Sequence, residues 1–234
     1  MVKSFSKREM VLVVLGGIFV ANAILGELIG GKLIQIGPFA MSIGVIPWPV
    51  VFVTSDLINE YFGRIGVRRL TFLTVIVILY AFLLLYVAIR VPAAGFSPVN
   101  DVQFKAVFGQ SLWIIFGSLV AFMISQLVDV IIFWIFRART QGRMLWLRAT
   151  GSTAVSQLID SFVIIAIAFW LPGKVKTQDF LTVAVTNYSY KLIIAIILTP
   201  LIYFGHNMID RFLGEEESHR LIEKAVEESV HTTS

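Results

Sequence analysis

Cysteine is absent from the 234 residues. Disulfides, thiolate nucleophiles and thiolate metal sites are therefore excluded. Histidine is nearly absent too. His206, His219 and His231 all lie at or beyond the end of the last long apolar run, so no Ser–His–Asp site can be assembled within those runs. Glycine-rich phosphate loops and nucleotide-hydrolysis motifs are missing, and no residue cluster has metal-ligand spacing. Charge is scarce, at 15% of residues against about 25% in soluble domains. The formal net charge of +4 does not point to nucleic acid, because the basic residues gather at the ends of apolar segments. No cofactor is expected.

What the chain does have is hydrophobicity. Hydrophobic residues make up 57%, the mean hydropathy is +0.85, and no charge interrupts the stretch from Arg69 to Arg90. A membrane-crossing helix needs about 20 mostly apolar residues. The composition predicts an all-α integral membrane protein with six transmembrane helices, at about 9–33, 39–62, 69–91, 111–136, 149–171 and 179–205. Continuous apolar runs favour helices over the alternating strands of a barrel. The first run follows Lys3, Lys7 and Arg8 without a convincing small-residue cleavage site, and reads as a retained helix. Residues 1–213 form the transport domain in this reading. Residues 214–234 form a short cytoplasmic tail, acidic first and then weakly amphipathic, expected as a solvated helix.

Basic residues give the orientation. Lys3, Lys7, Arg8, Arg64, Arg68, Arg69, Arg137, Arg139, Arg143, Arg148, Arg211, Arg220 and Lys224 fall on one side. Lys32, Arg90, Lys105, Lys174 and Lys176 fall on the other. This asymmetry places both termini in the cytoplasm, as an even number of spans requires. Pro47 and Pro49 in "IPWPVVF" are expected to kink or unwind span two, with Trp48 between them beside the substrate, since broken helices frame many transporter sites. "VPAAGFSPVND" (91–101) reads as a partly apolar external loop.

Against this background the ionisable residues inside the spans stand out: Glu27, Asp56, Glu60, Asp129, Asp160 and Lys191. An Asp or Lys at a helix centre costs about 2.5–3.5 kcal/mol on insertion scales. "SQLVDVI" (125–131) and "SQLIDSF" (156–162) repeat Ser, Gln and Asp in the same order. At about 100° per residue, Thr153, Ser156, Gln157, Asp160 and Ser161 share an arc of about 140°, and Ser118, Ser125, Gln126 and Asp129 share about 100°. Both stripes must face the bundle interior. Asp129 precedes Arg137 by about 12 Å of helix and Asp160 follows Arg148 by about 18 Å, so both lie in the cytoplasmic half or near the midplane. Asp56 sits at a similar level. "TNYSYK" brings Asn187, Tyr190 and Lys191 to one face of span six, and span one adds Asn22. Lys191 is expected to pair with an intramembrane carboxylate, Asp129 or Asp160. Helix–helix hydrogen bonding explains a lone polar residue, but not this whole set, which implies a polar cavity. Intramembrane aspartyl proteases need a Gly-x-Gly-Asp context that neither stripe has. A solute pathway is the better reading, with a membrane enzyme as the competing class.

The stretches "FVTSDLINEYFG" (52–63), "SQLVDVIIF" (125–133), "RATGSTAVSQLIDSFVIIAIAFW" (148–170) and "NYSYKLIIAIILTPLIY" (187–203) resemble the queuosine precursor transporters of the vitamin uptake transporter group. The resemblance runs from about Asn22 to Tyr203. In span one it is looser, since Glu27 follows Asn22 and a lysine comes only at Lys32. It implies a bacterial inner-membrane protein of six helices that imports 7-cyano-7-deazaguanine or 7-aminomethyl-7-deazaguanine for tRNA modification. The residues suit such a base. A carboxylate accepts its N–H and exocyclic amine as a forked pair, Gln pairs along the same edge, and Phe122, Phe133, Phe162 or Tyr190 can stack on the ring. The candidate substrate-binding residues are Asn22, Trp48, Asp56, Gln126, Asp129, Gln157, Asp160, Asn187, Tyr190 and Lys191. The two Ser-Gln-Asp stretches are the expected halves of a base clamp. The partners are then a small deazapurine and the lipid bilayer, with a homo-oligomer allowed. A substrate-binding subunit that docks on a separate energising module is the alternative within transport. Such subunits show an Ala-x-x-x-Ala face in span one, where this chain has only Gly17 and Ala21.

Overall fold

A computed structural model describes residues 5–30, 32–36, 39–109, 112–140 and 144–231. Lys3 and Arg143 of the basic set lie outside the described residues. The long elements are helices: α1 (Lys7–Ile29), α2 (Pro47–Ala88), α4 (Leu112–Arg139), α5 (Leu145–Ile165) and α6 (Thr177–Leu213). Two short helices accompany them, α3 (Asp101–Phe108) and α7 (Glu215–His231). Among the described residues five helices are long and apolar enough to cross a membrane. Their outer faces carry exposed Leu79, Leu83, Ile193 and Ile197, as lipid contact requires. The chain is an all-α membrane protein.

The expected spans two and three fall within one helix, α2. Its 42 residues would measure about 63 Å if straight, twice the hydrocarbon thickness of about 30 Å. It is not straight. Gly63 leaves the helical region at φ 68°, ψ −175°, a conformation glycine adopts without a Cβ penalty. Segments on both sides of Gly63 meet α1. A Cβ on Gly26 would touch the Trp48 ring at 3.0 Å, and one on Gly16 would lie 3.5 Å from Leu70. Val51 and Ile78 share one buried cluster with Phe19, Ala23, Leu119 and Phe122.

Pro47 and Pro49 do not kink a helix here. Both sit in the first turn of α2, where an N–H has no intrahelical acceptor and proline costs nothing. Residues expected to begin span two at 39 instead form an antiparallel hairpin, β1 (Leu33–Ile36) with β2 (Phe39–Ser42), and a 3-10 turn over Ile43–Val45. The break in α2 is at Gly63, in the expected connection between spans two and three, and not at the prolines. The connection after α2 leads into α3, opened by an Asn100–Gln103 capping box.

Two further features shape the interior. After Ile165, α5 widens into a π turn at Ala166–Trp170, against which α4 packs closely: a Cβ on Gly117 would lie 3.0 Å from Ala168 N. The acidic tail is also not solvated all round. Ser218, Leu221 and Ala225 of α7 are buried, and Leu221 joins the core of Ile58, Tyr61, Val67, Phe133 and Leu213.

Candidate functional site

A cavity of about 660 Å³ lies among α1, α2, α4, α5 and α6. This falls within the usual range for small-molecule sites. Each wall follows from a sequence feature already described. The polar stripe of α5 supplies Thr153, Gln157 and Asp160. The "TNYSYK" face of α6 supplies Thr186, Asn187, Tyr190 and Lys191. The first half of α2 supplies Trp48, Phe52 and Asp56, α1 supplies Glu27, and α4 supplies Ser118 and Phe122. The π turn brings in Phe169, consistent with the frequent use of π bulges at functional sites.

Seven of the ten candidate residues meet at this cavity: Trp48, Asp56, Gln157, Asp160, Asn187, Tyr190 and Lys191. Lys191 Nζ donates to Asp160 Oδ2 at 2.5 Å. The expected charge pair is present, with Asp160 as the partner. Gln126 and Asp129 are buried behind the cavity wall and are engaged with protein. Ser55 Oγ donates to Gln126 Oε1 (3.0 Å) and Ser156 Oγ donates to Asp129 Oδ1 (3.0 Å). Asn22 is not brought to the cavity; its Nδ2 donates to Ile18 O of its own helix at 2.8 Å. Of the four expected stacking aromatics, Phe122 and Tyr190 line the cavity. Phe133 is wholly buried in the core, and Phe162 packs edge-on against Phe180 at 6.0 Å.

Several polar atoms at the cavity are left without partners among the described residues. Gln157 is 1% exposed, yet neither Nε2 nor Oε1 is hydrogen-bonded. Asp56 Oδ1 and Asn187 Oδ1 are in the same condition. A buried polar group without a partner costs about 1–3 kcal/mol; a solute or water reaching these atoms would complete their bonds. Above it sits an aromatic shelf. Trp48 stacks with Phe52 (centroids 6.4 Å, 28°) and tilts against Phe122 (5.4 Å, 47°). Trp48 can lie there because Gly26 and Gly44 leave no Cβ in its way: one on either would approach the ring to 3.0 and 3.1 Å.

Sequence reasoning left Glu27 and Ser118 out of the site. Ser118 Oγ donates to Glu27 Oε2 at 2.6 Å, linking α4 to α1 at the cavity wall. Both residues carried a signal: Glu27 is a carboxylate in an apolar run, and Ser118 lies on the α4 stripe.

Toward the basic ends of the helices the interior changes character. Glu60, 2% exposed, accepts from Arg137 Nη1 (3.1 Å) and Arg148 Nη2 (2.6 Å). Trp134 Nε1 donates to Asn59 Oδ1 at 2.8 Å. Tyr61 Oη and Ser218 Oγ both donate to Asp210 Oδ1, at 2.6 and 2.5 Å, tying α7 to α2 and α6.

Helices of membrane-crossing length thus enclose a largely apolar, aromatic-walled cavity that carries a few polar and charged groups. Residues 42–205 match the model of a family described as "Putative vitamin uptake transporter", and the chain belongs to that family. It is 31% identical over 180 residues to a "Probable queuosine precursor transporter" of Bacillus subtilis (strain 168), covering 76% of this chain and 77% of that one. It is 27% identical over 159 residues to a protein of the same description from Haemophilus influenzae (strain ATCC 51907 / DSM 11121 / KW20 / Rd), covering 66% and 63%. No solved structure matches. The chain is thus a multi-pass bacterial membrane protein with a transport role and a small-molecule substrate.

Proposed function

We propose that the chain imports queuosine precursors, 7-cyano-7-deazaguanine or 7-aminomethyl-7-deazaguanine, across the bacterial inner membrane as a solitary secondary transporter or facilitator. The observation that carries this reading is the set of unbonded polar atoms at the cavity, Gln157 Nε2 and Oε1, Asp56 Oδ1 and Asn187 Oδ1. A deazaguanine edge offers neighbouring N–H donors and a carbonyl acceptor. A carboxylate takes the donors as a fork, and an amide donates to the carbonyl. Trp48, Phe52, Phe122 and Tyr190 offer flat faces, and stacking is worth about 1–3 kcal/mol per base in nucleic-acid complexes. Asp56 of "FVTSDLINEYFG" takes the place expected of "SQLVDVI" in the clamp. Gln126 and Asp129 support the wall from behind through Ser55 and Ser156. The description of the two relatives points to the same substrate class.

The same reading has six membrane crossings, with the chain reversing at Gly63 and both termini cytoplasmic. Supporting it, α1 touches Trp48 through Gly26, but Leu70 through Gly16. Those α1 positions are about 15 Å apart along the helix, whereas Trp48 and Leu70 would be about 33 Å apart on a straight one. The cavity lining reaches Gly30, Ser42 and Val175, at the ends opposite the basic clusters, where an importer meets its solute. The test is uptake of labelled 7-deazaguanines by liposomes containing the purified chain alone. Saturable uptake that excess guanine competes weakly supports the proposal. Absence of uptake together with absence of binding rejects it, whereas binding without uptake moves the chain to the substrate-binding subunits.

A further inference from the structure

The described ionisable side chains on the cavity wall are three carboxylates, Glu27, Asp56 and Asp160, and one ammonium, Lys191. Lys191 is engaged by Asp160. Besides that pair the cavity wall carries two further carboxyl groups, those of Glu27 and Asp56. The two other carboxylates sit at different depths. Asp56 is eight residues beyond Trp48 on α2, about 12 Å along the helix. Glu27 is adjacent to Gly26, on which the Trp48 ring rests. Asp56 thus lies about two helical turns from Trp48 along α2, whereas Glu27, held by Ser118 Oγ at 2.6 Å, lies beside the residue that the Trp48 ring covers. A flat bicyclic base with a short arm on its five-membered ring, plus a hydrogen bond of about 2.9 Å at each end, spans such a separation. With the guanine-type edge on Asp56 and Gln157, the arm at ring position 7 points toward Glu27.

We infer that Glu27 is a specificity-determining carboxylate that recognises a protonated primary amine on the arm of the bound base, so that the transporter favours the aminomethyl precursor over the neutral cyano one. The inference rests on the deazaguanine reading above and names which member of that class the cavity takes. A nitrile accepts hydrogen bonds and offers none, so it meets a carboxylate with no attraction. An alkylammonium donates to it with charge assistance. Ser118 acts as the positioning residue, because its hydroxyl fixes one carboxylate oxygen of Glu27.

The experiment measures affinities of both 7-deazaguanines for the purified full chain in detergent. It uses wild type, Glu27→Gln and Ser118→Ala. Wild type is expected to bind the aminomethyl compound more tightly. A charge-assisted hydrogen bond corresponds to about tenfold to a hundredfold in affinity, so Glu27→Gln is expected to reduce the aminomethyl-to-cyano affinity ratio about tenfold or more. Ser118→Ala is expected to reduce it by less. Added salt is expected to weaken the aminomethyl compound more than the cyano one. An unchanged ratio in Glu27→Gln, or a wild type that prefers the nitrile, overturns the inference and leaves the deazaguanine reading standing. If Glu27→Gln does not fold, the wild-type ratio and its salt dependence decide alone. If wild type binds neither compound, both the inference and the reading beneath it fall.

Discussion

Asp56 and Glu60 lie one helical turn apart on α2, and each is 2% exposed. They have the same charged group and the same burial, yet opposite surroundings. Both Glu60 oxygens are taken by guanidinium groups from α4 and α5. Asp56 lines the cavity, and its Oδ1 has no partner among the described residues. The difference separates two uses of polarity inside a membrane. Paired charges at the basic ends fasten helices together, whereas in the proposed function Asp56 is left to meet a solute. Burial alone would have assigned both to one role. Whether the hydrogen bonds close within the protein decides between them.

This contrast is easiest to break at the fastened end. Glu60→Ala leaves two buried guanidiniums without their carboxylate, and breaking a buried pair in this way costs about 3–5 kcal/mol. The expected result is loss of monodisperse protein on size exclusion in detergent, or a greatly lowered melting temperature. Lys191→Met should cost less, about 1–3 kcal/mol, because the Asp160 it abandons faces the cavity, with 15% of its side chain exposed. Its melting temperature should fall measurably, and by less than that of Glu60→Ala. Gly26→Ala sharpens the contrast from the cavity side. The added Cβ meets the Trp48 ring at 3.0 Å, so about 1 kcal/mol of overpacking should appear in melting, with weaker deazaguanine binding in a fluorescence titration. Asn22→Ala is expected to do least. Its amide bonds to its own helix at a half-exposed site, so stability should stay within about 0.5 kcal/mol and ligand affinity should be unaltered.

Much of the cavity was legible in the sequence because hydrocarbon makes ionisable groups conspicuous. The α5 stripe and the Asn187–Lys191 face had to turn inward, and depth narrowed the partner of Lys191 to Asp129 or Asp160, of which the structure selects Asp160. What periodicity could not supply was the neighbour on the next helix. It gave "SQLVDVI" and "SQLIDSF" equal standing, but Ser55 and Ser156 reach across to Gln126 Oε1 and Asp129 Oδ1, and neither Gln126 nor Asp129 lines the cavity. The prolines misled for a related reason. Pro47 breaks a helix in its interior and starts one at its first turn, and the difference depends on where the helix begins. An apolar hairpin at Leu33–Ser42 hid that boundary, since its composition passes for membrane helix. Glu60 stood out in the sequence only as an ionisable residue within a span, because its guanidinium partners lie 77 and 88 residues away in sequence. The buried face of α7 was partly legible, since Leu221 and Ala225 are four residues apart within an otherwise charged segment.

The central claim, that the unbonded polar atoms at the cavity exist for a solute, is tested most directly at Gln157. Gln157→Leu keeps the size of the side chain and removes both unbonded atoms, Nε2 and Oε1. Replacing an unsatisfied buried amide by an apolar group of similar shape relieves its desolvation cost. The account predicts a melting temperature equal to or above that of wild type, together with a loss of deazaguanine affinity of about tenfold or more. Wild-type affinity combined with a lowered melting temperature would contradict it and make Gln157 a structural residue.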